Sequence, residues 1–392
     1  MSGATEEPCH LFIVAGEPSG DILGAHLMAA LRRQLGWSVR FSGVGGERMQ
    51  AQGLESLFPL SEIALIGPIA IARRLPAILR RIGETARAAI ASRADALIII
   101  DSPEFTHRVA RRVRKARPAL PIIDYVSPSV WAWRPWRARA MRAYVDHVLA
   151  LLPFEPEAHR RLGGPPCSYV GHPLVERLDA LRGSGGQGEE KPILVVLPGS
   201  RITEVQRLMQ PFGEAVALLR ETRPDLAIVI PAVTAMRPAI ELAAETWPVR
   251  PQIVSGEAAK LAAFHRARAA LAASGTVSLE LALARVPMVV AYRVDRLAVI
   301  LRPLLTVPSV VLPNLILGRN AVPEFLQERC TPENLADALH PLLEDTQERR
   351  AQLEAFDEVE RRVTIGGETP SERAAGEVLR ILRERRPGAA IS

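Results

Sequence analysis

An unbroken aliphatic run, Ile193-Leu194-Val195-Val196-Leu197, is cut off by Pro198-Gly199 and delivers Ser200 and Arg201 into a turn. Five apolar residues without polar alternation predict a strand covered on both faces, as in a parallel sheet. From Ile202 onward Val205, Leu208, Met209, Phe212, Val216 and Leu219 recur at helical spacing, so the turn joins a strand's carboxyl end to a helix amino terminus. Open α/β sheets bind anions at that junction. Free N–H groups, the positive end of the helix dipole and the Arg201 guanidinium would converge there on a phosphate. An ordinary turn with a solvated arginine is the other reading.

The same pattern opens the chain. Leu11 to Ala15 predicts a buried strand, the turn is Gly16-Glu17-Pro18-Ser19-Gly20-Asp21, and Leu23, Leu27, Ala30 and Leu31 mark a helix. Such a turn lines a ligand cleft at the sheet's carboxyl edge, which makes Gly16, Glu17, Ser19 and Asp21 candidate cleft residues. Alternatively its glycines only permit unusual φ. No GxGxxG follows the strand and no GxxxxGK[ST] occurs, which excludes a dinucleotide signature and a Walker loop. A strand over Val39 to Val44 follows, then Ala96 to Ile100 with Asp101 at its tip. That carboxylate is placed either as a general base or as a cap for the next helix. After a strand over Ile122 to Val126, Trp131, Trp133 and Trp136 fall within six residues of a chain with 5% aromatic content. Trp131 and its neighbours form a wall that stacks on a sugar ring or packs on the domain's own core.

Between residues 63 and 90 an apolar series (Ile63, Leu65, Ile66, Ile69, Ile71, Leu75, Ile78, Leu79, Ile82, Ile90) is bordered by Arg73, Arg74, Arg80, Arg81 and Arg87. This is the composition of an interfacial helix on anionic lipid and equally of a domain helix with solvated arginines.

Residues 1–182 read as one domain, Gly183 to Gly188 as the centre of a flexible linker over 183–190, and 191–363 as a second α/β domain. Strands are expected at Ala227 to Ile230, Gln252 to Val254, Ala269 to Ala272 and Met288 to Tyr292. Two such halves invite a ligand into the cleft between them. Ser274, Gly275 and Thr276 would bring backbone N–H groups onto a phosphate, and Glu280, one turn into the following helix, could accept both hydroxyls of a ribose or simply complement the dipole. Asn314 is a candidate loop ligand. A last helix over 364–386 is expected to pack back on the first domain.

Lys and Arg total 49 against 43 Asp and Glu, a net charge of +6 over 392 residues. Without basic clusters interleaved with rings, this does not point to nucleic acid. Cys9, Cys167 and Cys330 lack metal-ligand spacing and suit a reducing compartment. No stretch approaches ~18 apolar residues, so no bilayer span is expected. A serine hydrolase is disfavoured because no GxSxG is present.

Ala15-Gly16-Glu17-Pro18-Ser19-Gly20-Asp21, Ser127 to Trp133, Leu197-Pro198-Gly199-Ser200-Arg201, Ala273-Ser274-Gly275-Thr276 and Ser309 to Gly318 together resemble the lipid-A-disaccharide synthase family, from about Leu11 to Leu382. The resemblance implies the GT-B fold: α/β, with two Rossmann-like domains facing a central cleft. It implies transfer of diacylglucosamine from UDP to diacylglucosamine 1-phosphate, forming a β-1,6 disaccharide at the cytoplasmic surface of the inner membrane, without a cofactor. Carried onto this chain, Ser200, Arg201, Ser274, Gly275 and Thr276 would hold the diphosphate, Glu280 the ribose and Asn314 the donor pocket. Asp101 would deprotonate the acceptor hydroxyl. The membrane surface would comprise Ile66, Ile69, Arg73, Arg74, Leu75, Ile78, Leu79, Arg80 and Arg81. Glu104 and Thr106 depart from the family pattern, where aspartate and asparagine are commoner. Metal-using sugar transferases hold their ion with Asp-x-Asp, which is absent from this sequence, so dipoles and Arg201 are left to stabilise the leaving diphosphate. A UDP-sugar epimerase or hydrolase would share the nucleotide half but need neither a lipid surface nor an acceptor base, and a non-catalytic sugar-nucleotide binder would not need Asp101.

Overall fold

The computed structural model of this chain describes residues 8–36, 39–63, 68–183, 192–294 and 307–385, with the side chains of 68–74 outside that description. Two compact units form, one from Met1–Pro173 and Ile365–Ser392, the other from Leu174–Thr364. The first contains β1 (Cys9–Ala15), β2 (Val39–Val44), β3 (Glu55–Ser56), β4 (Ala96–Ile100), β5 (Ile122–Tyr125), β6 (His147–Ala150) and β7 (Cys167–Tyr169). They lie in the order β3-β2-β1-β4-β5-β6-β7, and every pairing is parallel. The second contains β8 (Ile193–Leu197), β9 (Ala227–Ala232), β10 (Gln252–Ser255), β11 (Ala267–Ala273), β12 (Met288–Tyr292) and β13 (Glu324–Leu326), in the order β10-β9-β8-β11-β12-β13. It too is parallel throughout.

The unbroken aliphatic runs have the expected cause. Along β1, Leu11, Ile13 and Ala15 belong to one core and Phe12 and Val14 to another; along β4, Ile98 and Ile100 join the first and Leu97 and Ile99 the second. Each sheet face is thus sealed by helices, and neither set of alternating side chains meets water. The sequence pattern does not predict β3, β6, β7 and β13, which hold 2, 4, 3 and 3 residues. Three of these are edge strands and β6 is the neighbour of one, all too short for a periodic signal.

The unit boundary differs from the one expected near residue 182. The helix Leu178–Arg182 is built into the second unit: Leu181 is 1% exposed, the Ala180 carbonyl accepts from His265 Nε2 at 2.8 Å, and Arg182 Nε donates to the Leu283 carbonyl at 3.2 Å. Gly183 closes that helix through its N–H to the Asp179 carbonyl at 2.9 Å. The rest of the expected linker, from 184 on, lies outside the described residues. At the other end, the helix Pro370–Arg385 places Ala374, Ala375, Val378, Leu379, Ile381 and Leu382 in the core that Leu23, Leu27 and Leu31 line on the helix Pro18–Leu35. Arg33 pairs with Glu372 at 2.9 Å, and Ser168 Oγ donates to Glu377 at 3.1 Å.

In both sheets the chain reverses its direction of travel next to its first strand, between β1 and β4 and between β8 and β11. Loops leaving the carboxyl ends of such a strand pair diverge to opposite faces and leave a crevice. Because Leu382 is 1% exposed among helices and sheet, Leu382→Ala should cost about 2–5 kcal/mol of first-unit stability, read as a lowered denaturant midpoint; an unchanged midpoint would mean that the terminal helix does not hold this unit together.

Candidate active site

Gly16 and Asp101 leave the carboxyl ends of β1 and β4 at the first switch point. The loops come so close that a Cβ on Gly16 would stand 2.2 Å from Ser102 Cβ, so no larger residue fits. Asp101 and Ser102 both take left-handed backbone, at φ 55° and 49°, costly for residues with a Cβ. Side chains hold the turn. Asp101 Oδ1 accepts from the Ser102 N–H at 2.7 Å, and Thr106 Oγ1 donates to the Asp101 and Ser102 carbonyls at 2.7 and 3.1 Å. Asp101 Oδ2 accepts from Ser19 Oγ at 3.1 Å, which brings two sequence-predicted residues together. Beneath the turn, the fully buried Asp124 of β5 meets His107 Nε2 at 3.1 Å. His107 Nδ1 lies 3.1 Å from the Tyr144 hydroxyl, which also accepts from Arg111 at 3.2 Å. Burial pushes the Asp124 carboxyl up, against the opposing pull of His107.

Loops from β5 and β6 continue the same edge. Trp131 Nε1 donates to Glu155 Oε1 at 3.0 Å, Glu155 Oε2 accepts from the Leu152 N–H at 2.9 Å, and Phe154 meets the indole edge-on at 5.0 Å. Glu155 is a buried carboxylate the sequence pattern does not single out; burial pushes it up to about 7.

In the second unit, Ser200 and Arg201 follow β8, but their N–H groups are not free. Glu204, in the first turn of the helix Ile202–Thr222, accepts from the Ser200 N–H at 2.9 Å and the Arg201 N–H at 3.2 Å. The expectation that these amides await a phosphate is therefore corrected: an internal carboxylate reaches back over Gly199, where a Cβ would lie 2.5 Å from Glu204 Cβ. The Arg201 guanidinium meets Glu204 Oε1 at 2.9 Å with its side chain still 70% exposed. The turn after β11 is open. Gly275 and Thr276 are exposed, nothing stands within 4 Å of a Cβ on Gly275, and Ser274 Oγ donates to the Val310 carbonyl at 2.7 Å. Glu280 pairs with Lys260 Nζ at 3.0 Å.

The family described as Lipid-A-disaccharide synthetase matches residues 11–377. The chain belongs to the lipid-A-disaccharide synthetase family. The Lipid-A-disaccharide synthase of Nitrobacter winogradskyi is 54% identical over 381 residues, covering 96% of each chain. That of Rhodospirillum centenum is 45% identical over 97% of this chain and 96% of its own. Among solved structures, a UDP co-structure of Staphylococcus aureus MnaA aligns over 96% of this chain and 97% of its own with a TM-score of 0.64 at 13% identity. The calicheamicin glycosyltransferase CalG4 aligns over 96% and 98% with a TM-score of 0.58 at 17% identity. These likenesses establish the fold, α/β with two Rossmann-like units of the GT-B class.

Within this member of the lipid-A-disaccharide synthetase family, three candidate residues have other work. Asp21 is buried, and its carboxylate accepts from the N–H groups of Gly46, Arg48 and Met49 at 2.7, 3.0 and 3.1 Å, capping the short helix after β2. Asn314 is 2% exposed. Its Nδ2 donates to the Val322 carbonyl at 2.9 Å and its Oδ1 accepts from the Ala321 and Val322 N–H groups at 2.9 and 2.8 Å, so it clasps the loop over 309–324 instead of lining a pocket. Arg81 turns inward, with Nε on Glu62 at 2.8 Å, Glu84 at 2.6 Å and the Phe58 ring 4.5 Å from its guanidinium carbon. Leu75, Leu79 and Arg80 are exposed and Ile78 is half-buried against the core. Glu17 is exposed at the cap of its helix. Ile66 and the side chains of Ile69, Arg73 and Arg74 lie outside the described residues.

Two outcomes follow from this geometry. Asn314→Ala strands the buried Val322 carbonyl and N–H, so stability should fall by about 2–3 kcal/mol, while the folded variant keeps wild-type UDP affinity by calorimetry; weakened affinity at full stability would restore Asn314 as a ligand. Glu155 carries a folded-state value above its unfolded 4.5, so its contribution is most favourable below pH 4.5 and is lost as pH rises through about 7. Glu155→Gln escapes that loss, and its stability relative to wild type should rise by about 3 kcal/mol between about pH 4 and 8 in urea unfolding; a pH-independent difference would contradict the burial argument.

Proposed function

We propose that this chain is an inverting glycosyltransferase that condenses UDP-2,3-diacylglucosamine with 2,3-diacylglucosamine 1-phosphate to the β-1,6-linked disaccharide 1-phosphate and UDP. The observation that carries the reading is that Asp101 stands at the switch point of the first sheet, half-buried and oriented by Ser19. A carboxylate so fixed takes the proton from the acceptor's 6-hydroxyl as that oxygen attacks the anomeric carbon opposite the diphosphate. The C1–O6 bond forms, the C1–O bond to the diphosphate breaks, and UDP leaves with the pair of electrons. That single displacement inverts the anomeric centre.

Donor recognition falls to the second unit in this reading. The exposed Arg201 guanidinium and the open Ser274-Gly275-Thr276 turn meet the diphosphate, and Glu280 takes the ribose hydroxyls, with Lys260 holding its other oxygen. With no Asp-x-Asp pair in the sequence, the leaving charge rests on these fixed donors and no metal or cofactor is assigned. No helix among the described residues is long and apolar enough to cross a membrane. Exposed Leu75 and Leu79 with Arg80 on the helix Pro68–Ala91 instead give a face that rests on the cytoplasmic surface of the inner membrane, where both acylated substrates reside.

Asp101→Asn should lower turnover by about 10²–10⁴-fold with UDP affinity unchanged, measured as UDP release and as disaccharide from both acylated sugars. Full turnover in that variant, or release of epimerised or free sugar in place of disaccharide, would overturn the assignment.

A further inference from the structure

We infer that Arg134 and Arg137, together with Arg108, form the binding site for the phosphate of the acceptor sugar, with Glu104 occupying it until substrate arrives. The inference rests on the proposed transfer, because it places the second functional group of the same acceptor whose hydroxyl Asp101 would activate. Glu104 lies three residues after Asp101, in the first turn of the helix Pro103–Ala116. Arg137 donates to its Oε1, and Arg108 Nη2 stands 3.5 Å from its Oε2. Arg134 adds its charge from the loop after β5, and the Arg137 hydrogen bond, followed by the three positive charges, holds the Glu104 carboxyl below its ordinary range.

The geometry of the loop favours an anion that offers two oxygens side by side. Arg134 has left-handed backbone, at φ 54°, and its guanidinium carbon stands 5.0 Å over the Trp133 ring. A fork stacked in this way presents its N–H edge in one plane, which matches two phosphate oxygens. Charge gives the valence of the ligand. Three guanidiniums face one carboxylate, a surplus of two, and a phosphate monoester carries about −1.5 to −2 at neutral pH. Access is available as well: the side chains of Glu104, Arg108 and Arg137 are 63%, 45% and 30% exposed. Ion pairs this exposed are weak, so a dianion displaces Glu104 at little cost.

The test uses the full chain with two acceptors, diacylglucosamine 1-phosphate and the same sugar without phosphate. Wild type should prefer the phosphorylated acceptor by about 10–100-fold in kcat/KM, as expected for losing charge-assisted hydrogen bonds. Arg134→Ala/Arg137→Ala should erase that preference through KM, while Arg33→Ala, at the far end of its helix, keeps it. An unchanged preference, or an equal loss on both acceptors, overturns the site but leaves the transfer standing. If neither acceptor yields disaccharide the transfer itself fails, and equilibrium binding of glucosamine 1-phosphate then decides: about tenfold weaker binding by the double variant sustains a sugar-phosphate site and equal binding removes it. Should the double variant lose affinity for phosphatidylglycerol vesicles while keeping its acceptor preference, the arginines read a lipid headgroup and the proposal is wrong.

Discussion

Two consecutive residues with side chains, Asp101 and Ser102, are held in left-handed backbone at the end of β4, and the first unit's chemistry depends on that turn staying as it is. Each such residue costs about 1 kcal/mol or more, so the turn persists only because its surroundings over-determine it. Thr106 donates to both carbonyls, the Asp101 carboxylate accepts from the next N–H, and the neighbouring loop closes in where Gly16 has no Cβ. The buried Asp124–His107–Tyr144 chain then fixes the helix that the turn begins. What results is a carboxylate whose direction is set by backbone geometry, with one oxygen used internally and the other on a serine hydroxyl.

Carboxylates of the chain itself occupy two of the places where an anion would be welcome. In the second unit Glu204 takes the two amides at the start of its helix; in the first, Glu104 takes the arginines. The two are not equivalent. Glu204's side chain is 8% exposed, with Oε2 on two backbone N–H groups and Oε1 on the Arg201 guanidinium, so it belongs to the scaffold, while the Arg201 side chain stays 70% exposed toward a ligand. Glu104 is exposed and held only by side chains, so it can be exchanged. The difference lies in desolvation: a buried carboxylate that gives up its donors loses far more than one already facing water.

The polar residues that looked most like ligands in sequence divide along the same line. Asp21 and Asn314 have every oxygen and amide committed to backbone groups of a neighbouring loop. A buried loop must satisfy its N–H and C=O groups, and one side chain that supplies several partners is the cheapest way to do so. A short polar residue in a glycine-rich stretch therefore reads alike whether it grips a substrate or its own chain. Arg81 belongs with them, an interior anchor that shares its spacing with outward arginines.

The sequence by itself determined the alternation of strand and helix, the double-sided burial of the central strands, the positions of the glycine turns and the resemblance to one family. All of these follow from local pattern, because a strand sealed on both faces has to be written in consecutive aliphatic residues. Only the tertiary structure decided the strand order that sets Gly16 beside Asp101, the passage of the helix Leu178–Arg182 into the second unit, the burial of Glu155 under Trp131 and the gathering of Arg137 onto Glu104. Those pairings join residues between 24 and 101 positions apart, and no periodicity in a chain records which of its distant loops the packing will bring to the same edge.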